Sequence, residues 1–337
     1  MNRDELVANK TVGRRALLGS VAAFAGVVAG CSQLSPASSK ENRPAENKTS
    51  KPSSSDIQDA NTRLEYVSSE IESVPVVDEN GELAFDTDAF EGSFDHERLF
   101  ETVKDIRDSF EGQNTDRANE LVPASRLLYS RIELRLLLND VFASGTMYQH
   151  MFMRNNYGAA SKHAEEALEA LDYLPGNADT IEHRIDRLPG SQRVNGEYST
   201  EVAKMEAAMA AEIYSWAVPA YRGLRDVSTG MKLVSESQTW EMGERSPDSP
   251  EHYTEISERF SSAKKEFNEA HGSGTPIPRM VPVFDDLRCF ASDMDEVMAD
   301  VATAAELSLE ERHDESQRIR EDALRRAEQN ESRCLPE

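Results

Sequence analysis

From Phe94 onward the chain is a succession of one-sided apolar stripes at helical spacing, a period that a strand cannot use. Leu99, Val103, Ile106 and Phe110 recur at steps of four, three and four, and Val202, Met205, Met209, Ile213 and Trp216 do the same. Tyr253, Ile256, Phe260, Ala263, Phe267 and Ala270 continue the period over five steps. Each stripe predicts a helix that buries one face and wets the other. The stretch from Leu127 to Phe142 differs, because its apolar residues cover most of a helix circumference, which predicts a helix in the middle of a bundle.

Proline and glycine divide these segments. Leu174-Pro175-Gly176 and Leu188-Pro189-Gly190 are expected to bracket a short helix carrying Ile181 and Ile185, and Asp248-Ser249-Pro250 and Gly272 to Pro276 read as loops. Val122-Pro123, Val218-Pro219 and Val281-Pro282 are each followed, five residues after the proline, by Leu128, Leu224 and Leu287. Two or three copies of a helical hairpin with proline in a first turn would give this spacing. The expected fold is all-α, an elongated helical bundle or array of long helical hairpins over residues 94–334. Residues 58–93 read as irregular, with one small β-hairpin near residues 74–85: Val74 to Val77 and Glu82 to Phe85 flank Asp78-Glu79-Asn80-Gly81, and Asn-Gly between apolar runs is a hairpin signal.

The N-terminal end carries an address rather than a fold. A short polar head ends in Gly13-Arg14-Arg15, an apolar run follows from Ala16 to Ala29, and the run stops at Val28-Ala29-Gly30-Cys31. Such a run is too short to cross a hydrocarbon layer of roughly 30 Å, and its layout is that of a signal peptide over residues 1–30. It resembles the twin-arginine-exported, lipobox-containing lipoproteins of halophilic archaea. That resemblance implies export through Arg14 and Arg15, cleavage before Cys31, a lipid on that cysteine, and a cell-membrane location facing the outside. Residues 31–57 are mostly Ser, Pro, Asn, Lys and Glu, and cannot bury enough apolar surface to offset ordering entropy, so a disordered tether is expected. Its random-coil span is on the order of 25–30 Å. Asn47-Lys48-Thr49 and Asn330-Glu331-Ser332 are glycosylation sequons.

Charge narrows the partners. The chain has 37 basic and 62 acidic residues, and loss of residues 1–30 would leave a net charge of −27. Such a surface repels nucleic acid and anionic head groups. Strong acidity with ten lysines against 27 arginines resembles proteins of salt-loving archaea. The membrane contact expected is therefore the lipid on Cys31, together with a protein partner at the cell surface.

The chain holds no Gly-rich phosphate loop, nucleophile elbow, His-Glu-x-x-His or Cys-x-x-Cys, so an enzyme is not expected, and no cofactor is assigned. Met147, His150 and Met151 share a face at helical spacing, and thioether with imidazole suits copper. A core role for the same residues competes with that reading, since Met commonly fills gaps. Asp86, Asp88 and Glu97 echo part of a calcium loop, but Phe90 stands where a ligand is needed. Cys289 and Cys334 permit a disulfide across an antiparallel hairpin turning near residue 311 or 312, with Ser308 to Glu311 as a capping box. The function expected is a lipid-anchored binding or scaffolding body; the alternative is a small-molecule or copper-binding lipoprotein.

Overall fold

The computed structural model describes residues 52–189, 200–237, 249–278 and 280–334, with the side chains of 330–332 left aside. The export-type signal, Cys31 and the first sequon lie outside the described residues. Nine helices occur among the described residues, and no strand. They are α1 (Ser54–Ser73), α2 (Thr87–Ser93), α3 (His96–Phe110), α4 (Ala118–Met153), α5 (Tyr157–Arg187), α6 (Thr200–Glu236), α7 (Pro250–His271), α8 (Val281–Leu309) and α9 (His313–Cys334). The fold is all-α. None of these helices is long and apolar enough to cross a membrane.

Packing runs mainly between neighbours in sequence, with α3 on α4, α4 on α5, and so on to α9. The predicted stripes are the buried faces of α3, α6 and α7: Leu99, Val103, Ile106 and Phe110, then Met209, Ile213 and Trp216, then Tyr253 through Ala270. Helix α4, apolar nearly all round, touches α1, α2, α3, α5 and α6. It also runs parallel to α6, because their polar contacts keep a nearly constant sequence separation of 71 to 80 residues. Tyr221 donates to the Val141 carbonyl at 2.7 Å, and Tyr148 donates to the Leu224 carbonyl at 3.0 Å. Helices α6 and α7 meet closely through glycine: a Cβ at Gly223 would sit 2.5 Å from Phe267 Cδ1, and one at Gly230 would sit 3.0 Å from Phe260 Cζ. Aromatic rings occupy the volume that side chains at those two positions would need.

Several local expectations change. Residues 58–93 begin in a helix, since α1 starts at Ser54 within the stretch assigned to the tether. Ser53 Oγ accepts from the Asp56 amide while the Ser53 amide donates to Asp56 Oδ2 at 2.8 Å, a capping box. Ala60, Leu64, Val67 and Ile71 form its buried face.

The β-hairpin does not form. Its turn closes, with the Asp78 amide donating to the Glu82 carbonyl and Gly81 at φ +82°, but pairing stops at one isolated bridge between Val77 and Leu83. Pro75 has no amide to donate, and the Val74 carbonyl accepts instead from Arg135 Nε at 2.8 Å. Val76 and Val77 are both buried, so the segment lacks the alternation a half-exposed strand needs.

Proline breaks fewer helices than expected. Helix α5 runs through Pro175, since Ala167, Leu171, Leu174, Ala178, Ile181 and Ile185 keep one buried stripe across it. Helix α6 likewise runs through Pro219, which is itself buried; the hairpin-repeat reading fails there, because that proline lies mid-helix. Packing of the stripe outweighs the roughly 3 kcal/mol that an interior proline costs. The Ser308 to Glu311 box is no helix start either: Ser308 lies in the last turn of α8, which ends at Leu309, Glu311 turns at φ +63°, and α9 begins at His313.

Candidate functional site

Two groups of charged side chains stand out, one sealed and one open. The sealed group joins α4 to α6. Arg131 and Arg135, one turn apart within the leucine-rich stretch of α4, and Glu206 on α6 have no solvent exposure. Arg131 donates from Nε to Glu206 Oε2 at 2.8 Å and from Nη2 to Oε1 at 3.0 Å, a bidentate pair. Arg135 Nη2 donates to Glu206 Oε1 at 2.6 Å, and its Nε reaches the carbonyls of Ile71 (3.1 Å) and Val74 (2.8 Å). Burial alone would raise the Glu206 carboxyl; the two guanidiniums outweigh it and hold it at about 2. With no route to solvent, this cluster is a latch that ties the end of α1 to α4 and α6. The sequence carried its signal, an arginine pair four apart inside an otherwise apolar helix, and an acid set in the α6 stripe.

The open group lies between the N-terminal part of α4 and the C-terminal part of α5. A cleft of about 450 Å³ is lined by Pro123 and Arg126 from α4 and by Asp179, Thr180, His183, Arg184 and Arg187 from α5. Arg126 is paired with Glu111, and nearby Arg107 with Asp108. Neither Arg184 nor Arg187 has an ion-pair partner among the described residues. The Nε of Arg184 is buried and has no hydrogen-bond acceptor among them. Burial lowers the Arg184 guanidinium from its ordinary value, and the positive neighbours Arg126, Arg107 and Arg187 add to that, while Glu133 opposes it. Glu133 is itself engaged with Asn177 Nδ2 at 3.4 Å, and burial raises its carboxyl. Periodicity alone did not expose this cleft, because Arg126 and Arg184 lie 58 positions apart and meet only when α5 folds back along α4.

The residues singled out from the sequence fall elsewhere. Met147, His150 and Met151 are half-buried on one face near the end of α4; Met151 packs on the core, and its sulfur lies 3.9 Å from Asn156 Nδ2. Asp86 is not the start of a calcium loop but the cap of α2, accepting from the Asp88 amide at 2.9 Å. Glu97 sits in the first turn of α3, behind the cap Asp95. No group of three His, Cys, Asp or Glu suited to a metal ion occurs among the described residues. Cys289 and Cys334 are joined in a disulfide, with Cα atoms 5.4 Å apart, across the α8–α9 hairpin. Comparison of the chain with protein-family models, with curated proteins and with solved structures gave no match.

Proposed function

We propose that the chain is an exported lipoprotein, anchored through Cys31 and facing the outside, whose helical body serves as a non-enzymatic binding or scaffolding module for a protein at the cell surface. The order of the segments carries this reading. An arginine pair and apolar run end at Cys31, a polar stretch follows, and the helical body opens at Ser53 with a capping box and buries its core from Ala60 onward. A body that completes its own core downstream of the cysteine can lose residues 1–30 and keep its fold. The array of helices also offers long solvated faces, the kind of surface that helical partners use. A strongly acidic surface suits an exposed, salt-screened location and keeps the body off nucleic acid.

Fractionation of cells making the full-length chain tests the anchor. Wild type is expected in the membrane fraction, cleaved before Cys31 and lipid-modified. Arg14→Lys with Arg15→Lys should leave uncleaved precursor in the cytoplasm, and Cys31→Ser should abolish lipid labelling. Normal export of the double-lysine form would refute the twin-arginine route.

A further inference from the structure

We propose that the cleft between α4 and α5 binds a small oxyanion of the phosphate class, with Arg184 and Arg187 as its principal donors and Arg126 at its rim. This goes beyond the anchored-module reading and does not depend on it. The cleft gathers Arg126, Arg184, Arg187 and His183 against one lining carboxylate, Asp179, in a chain that carries 25 more negative than positive charges. Acidic side chains are abundant enough to neutralise every arginine, yet Arg184 and Arg187 have none within ion-pair reach among the described residues. Asp179 in the lining and Glu133 nearby offset only part of this positive charge, and like charges gathered in one place oppose folding, so an anion entering the cleft stabilises the arrangement.

The second observation is more specific. Arg184 Nε is shielded from solvent without an acceptor among the described residues, and a buried unmade hydrogen bond costs about 1–3 kcal/mol. Placement of Arg184 and Arg187 in the last turn of α5 complements the helix dipole, but a dipole supplies no acceptor for Nε. A guanidinium is a fork of Nε and Nη donors, and once the Arg184 side chain turns its Nε toward the cleft a tetrahedral or planar oxyanion satisfies it bidentately. At about 450 Å³ the cleft has the size of a small-molecule site rather than of a bare-ion niche. Pro123 and Thr180 line it beside the charges, so a phosphate monoester on a short organic group fits best.

The net charge decides between small and large anions. An extended polyanion or an anionic bilayer meets the whole acidic surface, whereas a small ion inside the cleft meets chiefly the groups within a Debye length, about 8 Å at physiological salt. The ligand is therefore small and soluble.

Calorimetric titration of the full-length protein, at ionic strength held constant with KCl, tests this with three probes: inorganic phosphate, glycerol phosphate, and acetate as a carboxylate comparison. Saturable binding of one phosphate per chain is expected, tighter for the monoester than for the free ion and weakest for acetate. Arg184→Ala should weaken binding at least tenfold. Arg184→Lys, which keeps the charge and the packing stem, should still lose most of the affinity, because it lacks the fork. Arg117→Ala, a surface arginine paired with Glu120, should bind as wild type. The helical circular-dichroism spectrum of each variant confirms that it is folded. Absence of saturable phosphate binding to wild type, equal affinity in Arg184→Lys, or preference of the unlipidated Cys31→Ser form for vesicles of anionic phospholipid over glycerol phosphate would each overturn the proposal. None of these outcomes depends on the lipid at Cys31, so the cleft and the anchor stand or fall separately.

Discussion

Two guanidiniums and one carboxylate, all out of solvent, leave a surplus positive charge where α1, α4 and α6 meet, and the nearby carboxylate of Glu72 offsets part of it. Such a cluster is costly to assemble and costlier to disturb, since removing one partner strands the others in low dielectric. Glu206→Gln is therefore expected to destabilise the fold by about 3–5 kcal/mol, read as a lowered urea midpoint at neutral pH with an unchanged slope. The pH dependence has a definite sign. The Glu206 carboxyl is held at about 2 in the fold against 4.5 for the free group, so its contribution is complete above about 4.5 and is lost as pH falls towards 2. The variant should lack that part of the acid sensitivity. A composition-level reading of Leu127 to Phe142 passes over this cluster because it counts Arg131 and Arg135 as interruptions of an apolar helix, whereas their spacing of four places them on one face. What they face, Glu206, is 71 to 75 residues away, and no local pattern links the two.

At the scale of elements, the stripes of α3, α6 and α7 were legible because each helix buries one face, and burial is what periodicity records. Breaks were read less well. Pro175 looks like a terminator and Pro219 like a first-turn proline in a local window, yet the stripes on either side stay in phase through them, and continuity of packing decides the outcome. Helix α1 was missed because its stripe is sparse and set among serines and glutamates, although Ser53 and Asp56 carried a capping signal. The α8–α9 hairpin was legible from its two cysteines. Helix α9 owes little to burial: Ala323 and Cys334 are its only buried apolar residues among those described. It is held by Ser316 Oγ donating to the Ala304 carbonyl, by ion pairs of Arg326 with Asp300 and Arg333 with Asp293, and by the disulfide at its far end. Exposed ion pairs contribute about 0–1 kcal/mol each, whereas closing a loop of 45 residues contributes roughly 4 kcal/mol by the chain-entropy estimate. Cys289→Ser with Cys334→Ser should therefore release α9 while α3 to α7 stay folded. Hydrogen exchange would show protection falling across residues 313–334 and holding elsewhere; an α9 equally protected without the disulfide would refute this.

At the scale of the whole molecule, charge governs. The chain carries 62 acidic against 37 basic residues, and most ion pairs among the described residues are exposed, several between neighbours on one helix. Exposed pairs are weakened by salt, but the surplus of negative charge repels itself at every separation within a Debye length, and that repulsion is screened by salt as well. The two effects oppose each other, and their relative size sets the sign. Pairs involve opposite charges that gain little in water, while the repulsion acts among all the surplus carboxylates of the surface. Relief of repulsion should win. The melting temperature followed by helical circular dichroism is expected to rise between about 0.1 M and 1 M KCl, over which the Debye length shrinks from about 10 Å to about 3 Å. The rise should be steepest at the low-salt end, where screening changes most in absolute distance. Replacing Glu310, Glu311 and Glu315, around the exposed α8–α9 turn, with glutamine should flatten the curve by lowering local repulsion, although Arg312 there loses its partners. A melting temperature that stays level or falls across that range would show that attraction between paired charges, and not self-repulsion, governs the surface.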